Sequence, residues 1–179
     1  DVFLDNGKYS FNFDKLDKWI AISTECGITN FEMSHLFTQW GAEHAPKIIA
    51  TVNGRKKKIF GWETDALSDE YKEFLHTLLP ELIAFLKAEG VMDDCLFHVS
   101  DEPGLAHLEH YKKAKAIVAD ILDGYPIMDA LSEYGFYETG VIDHPIPASS
   151  DIQPFIDANV SNLWTYYCVC QYNLVSNRY

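Results

Sequence analysis

The chain has 179 residues, enough for one domain with a sizeable core; 47% are hydrophobic and 23% charged. Its net charge of −13 argues against nucleic acid and anionic membrane as partners and suits a neutral substrate such as a sugar. No apolar run approaches the ~20 residues of a membrane span, and no signal peptide is present, although a chain beginning at Asp1 without Met leaves room for a leader outside it.

In chain order, Asp1–Phe13 reads as a poor strand. Asp14–Cys26 carries Leu16, Trp19, Ile20 and Ile22 at helical spacing, with Asp14 as N-cap and Gly27 just past the end. Ile28–Ser34 reads as a strand. From Phe37 to Ser68 no clear element emerges, which is long for an idle loop. It holds Gln39-Trp40-Gly41, a hairpin turn at Asn53-Gly54, the basic run Arg55–Lys58, and Trp62. The expectation for 37–68 is an active-site lid or wall, with the basic run a solvated hairpin edge.

A second helix is predicted over Asp69–Glu89, with Leu75, Leu78, Leu79, Leu82 and Leu86 on one face and a kink at Pro80. A strand at Cys95–Val99 leads into His98-Val99-Ser100-Asp101-Glu102-Pro103. A third helix follows over Leu105–Leu122, its apolar stripe interrupted by Lys115, whose charged head should snorkel to solvent. Later come strands at Tyr125–Ala130, Gly140–Asp143 and Ser161–Cys170, and a short helix at Asp151–Ala158. Cys168-Val169-Cys170 resembles half a metal site with no second half, and Cys26, Cys95, Cys168 and Cys170 read as thiols rather than ligands.

Strands alternating with helices imply parallel pairing with crossovers. About five strands, with a helix first, suit part of an α/β (β/α)8 TIM-type barrel whose flanking strands lie outside this chain; a doubly wound five-stranded sheet is the competing architecture. In either, polar residues at strand ends share one rim: His35, the Asp101-Glu102 pair, Asp129 with Glu133-Tyr134, then Asp143-His144, with Trp164, Tyr166 and Tyr167 in the last strand. Aromatic faces and carboxylates together suit a pyranose, whose C–H face stacks on rings while its hydroxyls take polar partners. The alternatives stay open residue by residue. His98 reads equally as a core histidine, and Asp129 as a turn cap. Trp164 could be core, and Asp101-Glu102 with Pro103 could cap a helix N-terminus. No pair of candidate ligands has helical metal spacing, so no metal and no cofactor are expected.

Beyond this, Phe31-Glu32-Met33-Ser34-His35-Leu36-Phe37-Thr38-Gln39-Trp40-Gly41, His98–Pro103, Asp129-Ala130 and the terminal Tyr166–Val169 with Asn177-Arg178 resemble the catalytic domain of glycoside hydrolase family 123. The resemblance implies a bacterial β-N-acetylgalactosaminidase-like domain on a (β/α)8 barrel, acting on a glycan or glycolipid. It also implies that residues 1–179 are a fragment of one catalytic barrel that needs the missing parts of its own polypeptide. The compartment is left open between secreted, periplasmic and cytoplasmic. By the same resemblance, catalysis is substrate-assisted and retaining, with Glu102 the general acid/base and Asp101 orienting the 2-acetamido group. His35, Gln39, Trp40, Asp129, Tyr134, Trp164 and Tyr167 are expected around the sugar. Adjacent carboxylates fit this chemistry, because two-carboxylate retention needs groups ~5 Å apart on opposite faces of the sugar. A non-catalytic carbohydrate-binding domain, a glycosidase for another sugar, and a metal-dependent hydrolase or isomerase are the rival readings.

Overall fold

A computed structural model describes residues 1–168. The amino-terminal stretch forms a hairpin of β1 (Val2–Asp5) and β2 (Lys8–Phe11). It turns at Asn6-Gly7, both at positive φ, as a tight two-residue hairpin requires. β1 then pairs in parallel with β4 (Ile48–Val52), and β4 pairs antiparallel with β5 (Arg55–Phe60) across Asn53-Gly54. The sheet order is β2-β1-β4-β5. The basic run Arg55–Lys58 is exposed on the edge strand, where lysines discourage pairing with other chains.

α1 (Asp14–Glu25) follows the hairpin. Asn12, rather than Asp14, supplies the side-chain acceptor at its start, with Oδ1 3.0 Å from the Asp14 N–H. α2 (Asp69–Ala88) continues through Pro80 and buries Tyr71, Phe74, Leu75, Leu79, Ile83 and Leu86 at helical spacing. These side chains meet Phe31, Phe37, Phe60 and Phe97 in one continuous core. Full burial of each such side chain contributes roughly 1.5–3 kcal/mol before entropy is counted. α3 is shorter than expected, Leu108–Val118, preceded by a 3-10 turn at Leu105–His107. Lys115 reaches the Val141 carbonyl at 2.6 Å. Cys26 is exposed, while Cys95 is buried and its thiol is pushed up to about 11 by desolvation, which makes it an inert core thiol.

The parallel component is fragmentary. β3 (Phe31–Glu32) pairs with β6 (Cys95–Leu96), and β7 (Met128–Ala130) with β8 (His144–Ile146). Isolated bridges join Phe97 to Ile127 and Ala148 to Tyr166. The short helices α4 (Tyr134–Glu138) and α5 (Gln153–Asp157) complete the described elements.

The expected TIM-type barrel of about five parallel strands is therefore corrected. Among the described residues there is one four-stranded mixed sheet and two separate two-stranded ladders, with no barrel arrangement. The physical reason is where the backbone donors go. After Leu96 the chain stays buried, but the Val99 and Ser100 N–H groups point to the Asp129 carboxylate instead of a neighbouring strand. The largest sheet comes from Asp1–Phe13 and from 37–68, segments whose sequences suggested little regular structure. Gly140–Asp143 is not a strand; pairing begins at His144. The predicted strand Ser161–Cys170 contributes one bridge at Tyr166, and its end lies outside the described residues.

Candidate active site

The turn after β6 carries Asp101 and Glu102. Their shared peptide is fastened on both sides. The Asp101 carbonyl accepts a hydrogen bond from the Trp40 N–H at 2.7 Å, and the Glu102 N–H donates to the Ala130 carbonyl at 2.9 Å. This anchors the turn to the segment after β3 and to the end of β7. Glu102 has φ 45, in the left-handed region. An L-residue with a long side chain loses about 1–2 kcal/mol there, so the surroundings must over-determine the conformation. Buried Pro103 and the Leu105–His107 turn follow, and the His107 ring packs against Gly41, where an added Cβ would come within 2.9 Å. α3 starts at Leu108, so the carboxylate pair does not cap that helix.

Beneath the turn lies a buried polar cluster. Asp129 is fully buried. Its carboxylate accepts from the Val99 N–H at 3.0 Å, the Ser100 N–H at 3.4 Å and the Tyr111 hydroxyl. His98 places Nδ1 3.4 Å from Asp129 Oδ1 and Nε2 3.5 Å from Glu32 Oε2. The exposed His35 ring meets His98 edge-on at 5.2 Å. The Ser100 hydroxyl donates to the Thr38 carbonyl at 2.7 Å, a second tie between the β3 and β6 segments. Partial burial raises the Asp101 carboxyl above its ordinary 3.8; His35 opposes the rise, Glu102 and Asp129 add to it, and His98 opposes it more weakly.

Two aromatic residues meet this turn, Trp40 through its backbone N–H and Tyr166 through its hydroxyl. Tyr166 donates its hydroxyl proton to Glu102 Oε1. Burial and that hydrogen bond hold the Tyr166 phenol well above its ordinary range. Trp40 is exposed and contacts Trp62 edge-on at 6.4 Å. Gln39, Trp164 and Tyr167 are exposed. Tyr134 instead packs with Tyr137 and Phe155. Asp143 and His144 stand at the beginning of β8 and line a separate hollow of about 410 Å³ with Lys115 and Tyr125. Among the described residues no group of three His, Cys, Asp or Glu side chains is gathered to hold a metal, and no helix is long and apolar enough to cross a membrane.

The sequence reading thus brought together Asp101, Glu102, His35 and Trp40, with Asp129 below them. Tyr166 is among the residues expected on the rim, and Trp62 lies in the segment expected as a wall; the hydrogen bond from Tyr166 to Glu102 is what the sequence does not show. Tyr111, which holds Asp129, carries no signal beyond being aromatic.

A carboxylate pair on a clamped, strained turn, met by the Trp40 backbone and the Tyr166 hydroxyl, combines the polar and aromatic groups from which carbohydrate sites are built. The chain belongs to the family described as "Glycoside hydrolase 123, catalytic domain", whose model matches residues 3–179. Among solved structures it is similar to a family 123 glycoside hydrolase from Clostridium perfringens, studied for glycolipid glycan hydrolysis, with a TM-score of 0.69 at 15% identity. The match covers 96% of this chain and 32% of that one, so this chain spans about a third of that protein's length. No curated protein matches the sequence.

Proposed function

We propose that this domain belongs to a glycosidase that removes β-linked N-acetylgalactosamine from a glycan or glycolipid, with retention and with the substrate's own acetamido group as nucleophile. The observation that carries the reading is the Asp101-Glu102 turn, clamped through one peptide and engaged by Tyr166. Family membership supports the reaction class.

In this reading Glu102 gives its proton to the glycosidic oxygen. The bond from that oxygen to the anomeric carbon breaks as the acetamido oxygen bonds to the same carbon, giving an oxazolinium-type intermediate. Glu102, now a carboxylate, takes a proton from water, which opens the intermediate on the original face. Asp101 holds the acetamido N–H and balances the charge that develops on it. The engagement of Asp129 with backbone N–H groups and Tyr111 supports this division of labour, since a buried, occupied carboxylate is poorly placed to act as a nucleophile. We assign Asp129 to positioning of the 99–101 backbone. Tyr134, packed on Phe155, supports the wall from behind. His35, Gln39, Trp40, Trp164 and Tyr167 surround the sugar, and 37–68 flanks it as part of the same catalytic domain, residues 1–179.

Hydrolysis of aryl β-GalNAc and aryl β-GlcNAc by the full-length parent and its Glu102→Gln variant tests the proposal. Cleavage of the GalNAc glycoside, with the variant losing about 10²-fold or more, is expected for a general acid. Failure of the parent to cleave either glycoside would reduce the domain to a binding role or to another sugar.

A further inference from the structure

We propose that His98 is a positioning residue for the carboxylate turn, bridging the buried Asp129 to the exposed Glu32. This rests on the reading of Asp101 and Glu102 as the reacting pair and of Asp129 as the anchor of the backbone before them.

His98 is 6% exposed, and among the described residues neither of its ring nitrogens has a hydrogen-bond partner. Buried polar atoms left so are costly and call for an explanation. Here the explanation is charge. A carboxylate stands within ion-pair distance of each nitrogen: Asp129 Oδ1 is 3.4 Å from Nδ1, and Glu32 Oε2 is 3.5 Å from Nε2. Shortening each contact by about 0.6 Å would make two charge-assisted hydrogen bonds. An imidazole with a proton on both nitrogens has one for each carboxylate.

Asp129 needs such a partner. Its carboxylate is fully buried, and its three donors, the Val99 N–H, the Ser100 N–H and the Tyr111 hydroxyl, are neutral. A buried charge without a counter-charge is a strongly destabilised state. Among the described residues, His98 is the basic side chain within ion-pair distance of Asp129. Glu32 holds the imidazole from the other side; its side chain is 61% exposed. The His98 main chain is fixed as well, since its carbonyl accepts from the Leu36 N–H at 3.1 Å. The bridge thus runs from β3 through His98 to β7, and at Asp129 it meets the backbone that precedes Asp101.

Two more titratable groups face this array: His35, edge-on to His98 at 5.2 Å, and Asp101. Burial raises the Asp101 carboxyl, His35 opposes the rise, Glu102 and Asp129 add to it, and His98 opposes it. Removing the imidazole therefore moves the Asp101 carboxyl further up. A histidine that only filled the core would have no need of Glu32, so coupling between the two separates the roles.

The test is a double-mutant cycle on the full-length parent with an aryl β-GalNAc: Glu32→Gln, His98→Asn and both together, with Glu25→Gln as a control at another exposed glutamate. Glu32→Gln is expected to lower kcat about threefold and His98→Asn about tenfold, with KM within twofold, since neither side chain is assigned a contact with the sugar. The double variant should be no slower than His98→Asn, and the acid limb of kcat/KM should lie higher in His98→Asn than in wild type. Effects that multiply, or a Glu32→Gln variant indistinguishable from Glu25→Gln, overturn the bridge, as does a change confined to KM. If His98→Asn does not fold, the comparison of Glu32→Gln with Glu25→Gln decides alone. Thermal midpoints of the same proteins need no turnover. If the parent cleaves neither aryl β-GalNAc nor aryl β-GlcNAc, coupled midpoints keep the bridge and remove only the reading of the reacting pair. Additive midpoints overturn the bridge itself.

Discussion

The Tyr166 hydroxyl is hydrogen-bonded to Glu102 across 64 residues of sequence. It therefore sets the direction of the carboxyl proposed as acid and base. A hydrogen bond to an ionised group contributes about 1.5–3 kcal/mol, which corresponds to roughly 10- to 150-fold in rate when expressed at the transition state. Tyr166→Phe is expected to lower kcat on an aryl β-GalNAc within that range while KM changes little. Steady-state kinetics on the full-length parent decides it. A change in KM alone would make Tyr166 a substrate contact instead.

Asp101 gives a pH dependence whose sign is fixed. Its carboxyl is raised above 3.8, first by burial. The folded state thus holds that proton more tightly than the unfolded state. Stability contributed by Asp101 is highest at low pH and falls as pH rises from 3.8 through the raised value. Asp101→Asn removes the term. Its thermal midpoint should exceed that of wild type at pH 7, and the gap should close as pH falls toward 4. The wild-type acid limb of kcat/KM should also lie above the ordinary carboxylate range if ionised Asp101 serves the acetamide. Parallel melting curves at both pH values would remove this account of Asp101.

Two glycines separate a rigid contact from a soft one. A Cβ on Gly41 would sit 2.9 Å from His107 Cγ and Cδ2 and 3.2 Å from His107 Cβ, atoms close to the backbone of the turn after Pro103. A Cβ on Gly61 would come within 2.8 Å of Glu63 Oε2, the free end of an exposed side chain. Gly41→Ala should therefore cost about 1–3 kcal/mol of stability and reduce kcat by moving the carboxylate turn. Gly61→Ala should change stability by less than about 0.5 kcal/mol, since a surface ion pair is worth little. Differential scanning fluorimetry with rate measurement on both variants tests the contrast; equal effects would mean that the Gly41–His107 contact does not fix the turn.

What could be read from the sequence was what local physics controls. The apolar spacing in 14–25 and 69–88 specifies helices, and Asn53-Gly54 specifies a hairpin. The carboxylate pair was readable because two adjacent charges after a buried run have few structural uses. Sheet membership was not readable. Phe97 and Val99 are buried as strand residues would be, yet burial does not reveal that a side-chain carboxylate takes the ladder's place. The hairpin of β1 and β2 was hidden by the polar alternation of a half-exposed sheet, and its parallel partner lies more than 40 residues on. The hydrogen bond from Tyr166 to Glu102 and the strain at Glu102 depend on tertiary placement, which no local pattern carries.

That strain is measurable apart from chemistry. At φ 45 a Glu is disfavoured, whereas Asn is several-fold enriched in the left-handed region. Comparing Glu102→Gln with Glu102→Asn tests whether energy is stored there, since both lose the acid. One confounder is Tyr166, whose hydrogen bond the longer Gln can keep and the shorter Asn cannot. Both substitutions therefore belong in a Tyr166→Phe background, where that bond is absent. In that background the Asn variant should be the more stable by some fraction of the 1–2 kcal/mol left-handed penalty, or about 0.5–1 kcal/mol. That raises the thermal midpoint by a few degrees. Identical midpoints would show that the peptide clamped by Trp40 and Ala130 is relaxed. A higher midpoint for Asn would show that this turn gives up stability to hold a carboxyl where a less strained backbone could not.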